Sequence, residues 1–379
     1  MESADSVKNN NKSKQKGSEF AGWAMLSRVR PELFGCAMIG IVIFHLCEDI
    51  LFAYKTGGNG YKTAWVYDKL IGSSGVEIFV ILSGIGLCFS MHKDSSIAGF
   101  YKKRVIRILP EYLICGVLLW GVKDIILNKG SLGDFCKDFF FVTFFTDGVR
   151  TLWYILFISG AYLIYPLLFN IFSYPEGKEK SRRERRNKAI IAAVMIAVTY
   201  LMIMWVKRKA PNFYKHTEIA LLRVPVFFYG AYLGEKVYRK KMISGLDLLL
   251  PVIGVILKTM YAMDRTNTKI RWNWRFNGRF AVFLFSIAIM LFMAIIFDML
   301  KSADKLRILR KLLRVTGKYS LEIYLGHIVV RALMIKKWGT KEYLSKYWLY
   351  LICTVVMVTA LAVISKMTRK WFSRKKTEH

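Results

Sequence analysis

Apolar runs of about 16 to 23 residues recur along the chain from Leu33 onward, each long enough to cross a hydrocarbon layer about 30 Å thick at about 1.5 Å per helical residue. In lipid, every backbone polar group must find its partner inside the protein, so runs of this kind become helices. A length of 379 residues would ordinarily suggest roughly two or three soluble domains, but no long polar block is present to build one. The sequence therefore predicts an all-α integral membrane protein with about ten transmembrane helices, near 33–53, 71–91, 108–127, 151–173, 189–206, 218–235, 247–263, 280–300, 319–335 and 347–365. Residues 1–27 read as a disordered cytoplasmic tail, 28–366 as the transmembrane domain and 367–379 as a basic cytoplasmic tail.

The net charge of +32 invites a nucleic-acid partner, yet its distribution argues for topology instead. With both termini cytoplasmic, the inner segments carry the larger share of the Lys and Arg residues, which is the positive-inside pattern of a multi-pass cell-membrane protein. Anionic lipid headgroups account for much of the excess. Segment 301–318 has apolar residues at helical spacing (Leu306, Leu309, Leu312, Leu313) among its cations and reads as a short amphipathic helix on the inner surface. The outer loop RTNTKIRWNWRFNGR suits either sugar or phosphate recognition or an interfacial aromatic belt. Six scattered cysteines form neither a CxxC pair nor a cluster with histidine, so neither a disulfide framework nor a metal site is expected. No Walker-type loop is present, which argues against an ATP-driven pump.

Titratable groups inside apolar runs are functional candidates by default. His45 lies about 18 Å from the inner boundary of the first span, with Glu48 and Asp49 at i+3 and i+4 on its own face. Glu77, in the second span, reaches a similar depth from the other direction. A carboxylate bonded to one ring nitrogen of His45 would leave the other to take a proton from a hydroxyl, the arrangement of a general base. Arg223, in EIALLRVPVFF, is placed to pair a carboxylate or steady an oxyanion. On the inner side Arg104 and Arg107 share a helix face and suit a phosphate-rich ligand or simple inner-face anchoring. His327, about 12 Å from the inner face, reads as a structural or donor-channel residue, with catalysis as the alternative.

Five stretches in order resemble the acyltransferase 3 family of multi-pass membrane acyltransferases: GSSGVEIFVILSGIGLCFS, FYKKRVIRILPEYL, TLWYILFISGAYLIYPLL, RVPVFFYGAYLG and GKYSLEIYLGHIVV. The resemblance implies transfer of an acyl group, usually acetyl, from cytoplasmic acyl-CoA to a hydroxyl of a surface or lipid-linked glycan. It makes His45 the histidine of the family's Arg-x10-His motif, Arg104 and Arg107 its Arg-x-x-Arg motif near the CoA entrance, and Trp153 part of its Trp-aromatic helix. One position departs: Phe34 stands where the motif calls for arginine, and Arg28 and Arg30 lie nearer the cytoplasm. Two other readings follow from the same residues: a transporter of a small anion or lipid-linked sugar, and a catalytically silent family member.

Overall fold

In the computed structural model the described residues are 22–55, 57–58, 60–174, 182–264, 274–300 and 306–374. They are almost entirely helical and contain no strand, only an isolated bridge between Gly22 and Met242. Eight stretches among them are long and apolar enough to cross a membrane: 30–53, 61–93, 97–127, 153–172, 183–209, 245–262, 278–299 and 347–372. The two other predicted spans are also helices, Val224–Tyr238 and Ser320–Trp338, the first shorter and the second interrupted by charge. Large apolar side chains such as Leu201, Trp205 and Val355 are exposed, whereas Glu32, Glu111, Arg223 and Glu322 are buried. That inversion of the soluble pattern is what a lipid solvent selects.

The chain divides into two compact units, with residues up to Ile41, Lys69–Phe89 and Tyr229–Lys318 in the first and the remainder in the second. The first unit holds α1 (Ala24–Arg28), the opening half of α2 (Arg30–Ala53), most of α4 (Ser74–Lys93), the end of α11 (Val224–Tyr238), α12 (Gly245–Asp264), α13 (Trp274–Met299) and α14 (Arg307–Lys318). Helices α4 and α11 cross at glycine: a Cβ on Gly84 would lie 2.7 Å from Ala231 N, and one on Gly230 2.7 Å from Ile81 O. Small residues at such crossings replace the hydrophobic drive that lipid removes. The helical domain also starts before residue 28. Residues 22–27, assigned to the tail by composition, are ordered because Trp23 is fully buried, its indole N–H donating to Asp247 and its backbone N–H to Lys241 O. Residues 1–21, most of the basic aromatic loop, 301–305 and 375–379 lie outside the described residues.

The second unit holds α2 from Val42, α3 (Tyr61–Leu70) as far as Asp68, the end of α4, α5 (Ile97–Trp120) with a π-helical continuation Gly121–Leu127, α6 (Leu132–Phe139) and α7 (Val142–Thr146). It continues with α8 (Trp153–Phe172), α9 (Arg182–Lys209), α10 (Pro211–Leu221), the start of α11, α15 (Ser320–Trp338), α16 (Thr340–Ser345) and α17 (Tyr347–Arg374). Helices α3, α6, α7 and most of α10 occupy segments that read as connections, because at 10, 8, 5 and 11 residues they are too short to show a period. Helix α15 packs against α5 and α17 and carries the residues on which the site is built. Gly326 permits its approach to α17, since a Cβ there would meet Val358 at 2.8 Å.

Candidate active site

His45 and His327 meet within the second unit, Nδ1 of the first lying 3.1 Å from Nε2 of the second. Their rings stack with centroids 5.3 Å apart. One helical turn further along the same two helices, Arg331 clasps Asp49 with both arms of its guanidinium, at 2.8 Å to Oδ2 and 2.6 Å to Oδ1. Both pairs span 282 residues of sequence, so α2 and α15 run parallel where they meet and their i and i+4 side chains form two rungs. On α16, burial pushes the pKa of the Tyr343 hydroxyl up, and the negative charge of Asp49 nearby pushes it the same way.

The hydrogen bonds fix the tautomers. His327 Nδ1 lies 2.8 Å from the carbonyl oxygen of Ile323, one turn back on its own helix. A carbonyl only accepts, so Nδ1 of His327 carries the proton and, in the neutral ring, Nε2 is an acceptor. His45 Nδ1 must then donate to it. The remaining nitrogen of neutral His45, Nε2, is left with its lone pair.

An imidazole partner thus holds His45 where the sequence suggested a carboxylate. Asp49 is on the expected face, but its charge is engaged by Arg331. Glu48, at i+3, is exposed. Glu77 belongs to the first unit, where it is buried in the first turn of α4, a position the helix dipole favours for an acid. His327, which depth alone placed in a structural or donor-channel role with catalysis as the alternative, touches His45 directly. Depth counted along an upright helix ignores tilt and says nothing of lateral neighbours.

Aromatic rings lead away from the pair. Tyr324 stands edge-on to His327 at 5.9 Å and to Tyr154 at 5.3 Å, and Tyr154 adjoins Trp153. The Arg223 guanidinium carbon lies 5.2 Å from the Trp153 ring centroid, and its Nη1 donates to Ile219 O at 2.8 Å. The structure thereby brings two sequence candidates, Trp153 and Arg223, into contact.

Arg104 and Arg107 project from α5, and each has company. Arg107 makes a forked pair with fully buried Glu322, at 3.0 and 3.3 Å, and Arg369 of α17 approaches the same carboxylate at 3.5 Å. Arg104 reaches Ser90 Oγ at 2.5 Å and lies over the rings of Phe100 and Tyr162. Glu322, Arg331 and Arg369 went unnoticed in the sequence. For Arg331 a signal existed, because it follows His327 at the interval by which Asp49 follows His45.

Within the first unit, Phe34 packs edge-on against Phe79 with centroids 4.8 Å apart. Arg28 is bound to Asp298 at 2.6 Å, and Arg30 lies over Phe89 at 5.8 Å. The place of the motif's arginine is filled by an aromatic contact.

Among known proteins, the chain is 28% identical over 102 residues to an acyltransferase, MdmB, of Streptomyces mycarofaciens, covering 26% of this chain and 25% of that protein. It is 25% identical over 180 residues to nodulation protein 10 of Rhizobium leguminosarum bv. viciae, covering 42% of this chain and 48% of that one. The chain thus matches less than half the length of either relative. No solved structure matches. The acyltransferase domain model, by contrast, matches residues 35–367, from the first membrane helix to the last, and the chain therefore belongs to the acyltransferase 3 family.

Proposed function

We propose that this membrane protein transfers an acyl group, acetyl in the first instance, from cytoplasmic acyl-CoA to a hydroxyl of an extracytoplasmic glycan or lipid-linked saccharide, with His45 as general base. The observation that carries this reading is the hydrogen-bond chain Ile323 O, His327, His45, which leaves His45 Nε2 as the basic atom. In the proposed step the acceptor hydroxyl gives its proton to Nε2 while its oxygen attacks the thioester carbonyl. Collapse of the tetrahedral intermediate breaks the C–S bond, and the proton on Nε2 passes to the departing CoA sulfur. The products are an ester and free CoA, and His45 returns neutral.

His327 orients the ring and accepts from Nδ1 throughout, so the imidazolium formed in mid-reaction stays hydrogen-bonded. The Asp49–Arg331 pair fixes the two helices in register and sets a guanidinium in the histidines' cluster despite Phe34. Trp153 and Arg223 are assigned to the acceptor or the oxyanion. Arg104 and Arg107 are assigned to the donor's phosphates, with Glu322 balancing Arg107 until they arrive. A ten-span topology with both termini cytoplasmic fits the plasma membrane of a bacterium, and the parallel run of α2 and α15 suits the first and ninth of ten alternating spans.

Labelled acetyl-CoA supplied to membranes with and without the protein tests this reading: label in an alkali-labile ester on glycan is the expected result, and none the contrary one. Phe34 favours a second reading, a silent member that binds acyl-CoA without turnover. Binding of acyl-CoA with no ester formed on any membrane glycan would select it.

A further inference from the structure

Helix α14 has three faces. At about 100° per residue, Arg310, Leu313 and Gly317 fall on one side, and that side is docked within the first unit: Arg310 and Leu313 are buried, and Glu32 accepts from Arg310 at 2.9 Å and from Arg314 at 2.8 Å. The approach to α2 is very close, for a Cβ on Gly35 would fall 2.1 Å from Leu313 O and one on Gly317 2.1 Å from Pro31 O. The helix is therefore rigidly seated.

A second face carries Arg307, Lys311, Arg314 and Lys318, which with Val315 line a depression of about 340 Å³. The third face, next to the cations, exposes Ile308, Leu309, Leu312 and Val315, Ile308 at 75%. Four cations around one depression call for a multiply oxygenated anion, since a phosphate accepts charge-assisted hydrogen bonds from several donors at once. A soluble anion would meet the cations alone and leave the apolar ridge in water. A lipid satisfies both, its headgroup phosphate among the cations and its acyl region against the ridge.

We infer that α14 is a binding site for anionic phospholipid, with Arg307, Lys311, Arg314 and Lys318 holding the headgroup phosphate and Ile308 and Leu312 entering the acyl boundary. The site stands independently of the acyl-transfer reading.

The full-length chain in neutral detergent provides the test, with thermal unfolding followed after addition of phosphatidylglycerol, phosphatidylcholine or inorganic phosphate. Phosphatidylglycerol is expected to raise the unfolding temperature and the other two to leave it in place. The triple variant Arg307→Gln, Lys311→Gln, Lys318→Gln keeps Arg314 and its Glu32 bond and is expected to lose most of that rise. An undiminished rise in the triple variant, or an equal one with phosphatidylcholine, overturns the inference; an equal rise with inorganic phosphate overturns the lipid in favour of a soluble anion. Should the triple variant not fold, the wild-type response is repeated at about 1 M salt, where screening shortens to about 3 Å. Its loss supports the site and its persistence refutes it.

Discussion

Asp49 and Arg331 close a forked ion pair four residues beyond His45 and His327 on the same two helices, so one charged contact sets the register of both histidines. Losing one partner leaves a charge uncompensated in a mostly buried place, a cost of about 3–5 kcal/mol. Asp49→Asn should therefore lower thermal stability in detergent, and the double change Asp49→Leu with Arg331→Met should recover most of it. An Asp49→Asn protein as stable as wild type would show that the pair does not hold the helices.

In the proposed mechanism His327 acts through His45, so its variants should separate orientation from chemistry. His327→Ala removes the acceptor for His45 Nδ1 and is expected to lower kcat by about 10²-fold, with little change in the KM of either substrate. His327→Gln, which offers a carbonyl oxygen in place of the ring nitrogen, should regain part of the loss. Equal kcat in His327→Ala and wild type would remove His327 from the mechanism.

The fold and the site were legible to different depths. Long apolar runs betray membrane helices because length alone carries the signal, and His45 and Arg107 stood out as titratable groups near or within them. The partner of each did not. His327 lies 282 residues from His45 and Glu322 lies 215 from Arg107, and a helical period reports which residues share a face but not which face meets another helix. The one trace of the pairing in the sequence is an interval, since His45 with Asp49 and His327 with Arg331 repeat the same spacing. Short helices in the connections, such as α6 and α10, were hidden because a few polar turns have no apolar length to reveal them.

Arg107 shares Glu322 with Arg369, and the donor reading gives this pairing a kinetic consequence. Arg107→Gln should raise the KM for acyl-CoA, while Glu322→Gln, which lifts the competing negative charge, should lower it. Steady-state rates at varied acyl-CoA would show this directly, and an unchanged KM in Arg107→Gln would take the arginine out of donor binding.

The glycine crossing of α14 with α2 leaves no room for a side chain. Gly317→Val would drive a Cβ against backbone at Pro31, where only a shift of the helix relieves the contact. Its expected effect is release of α14, read as faster cleavage by trypsin after Arg307 or Lys311. Protection equal to wild type would mean that the crossing tolerates bulk.

As the proposed base, His45 requires Nε2 unprotonated, so kcat/KM is expected to rise with pH through the pKa of the histidine pair and then level. The same proton acceptance underlies the whole account, and it is tested most directly by replacing the ring. Acetyl transfer from labelled acetyl-CoA to membrane glycan should fall to background in His45→Gln at wild-type levels of folded protein in the membrane. Transfer by His45→Gln at the wild-type rate would contradict the assignment of His45 as the base.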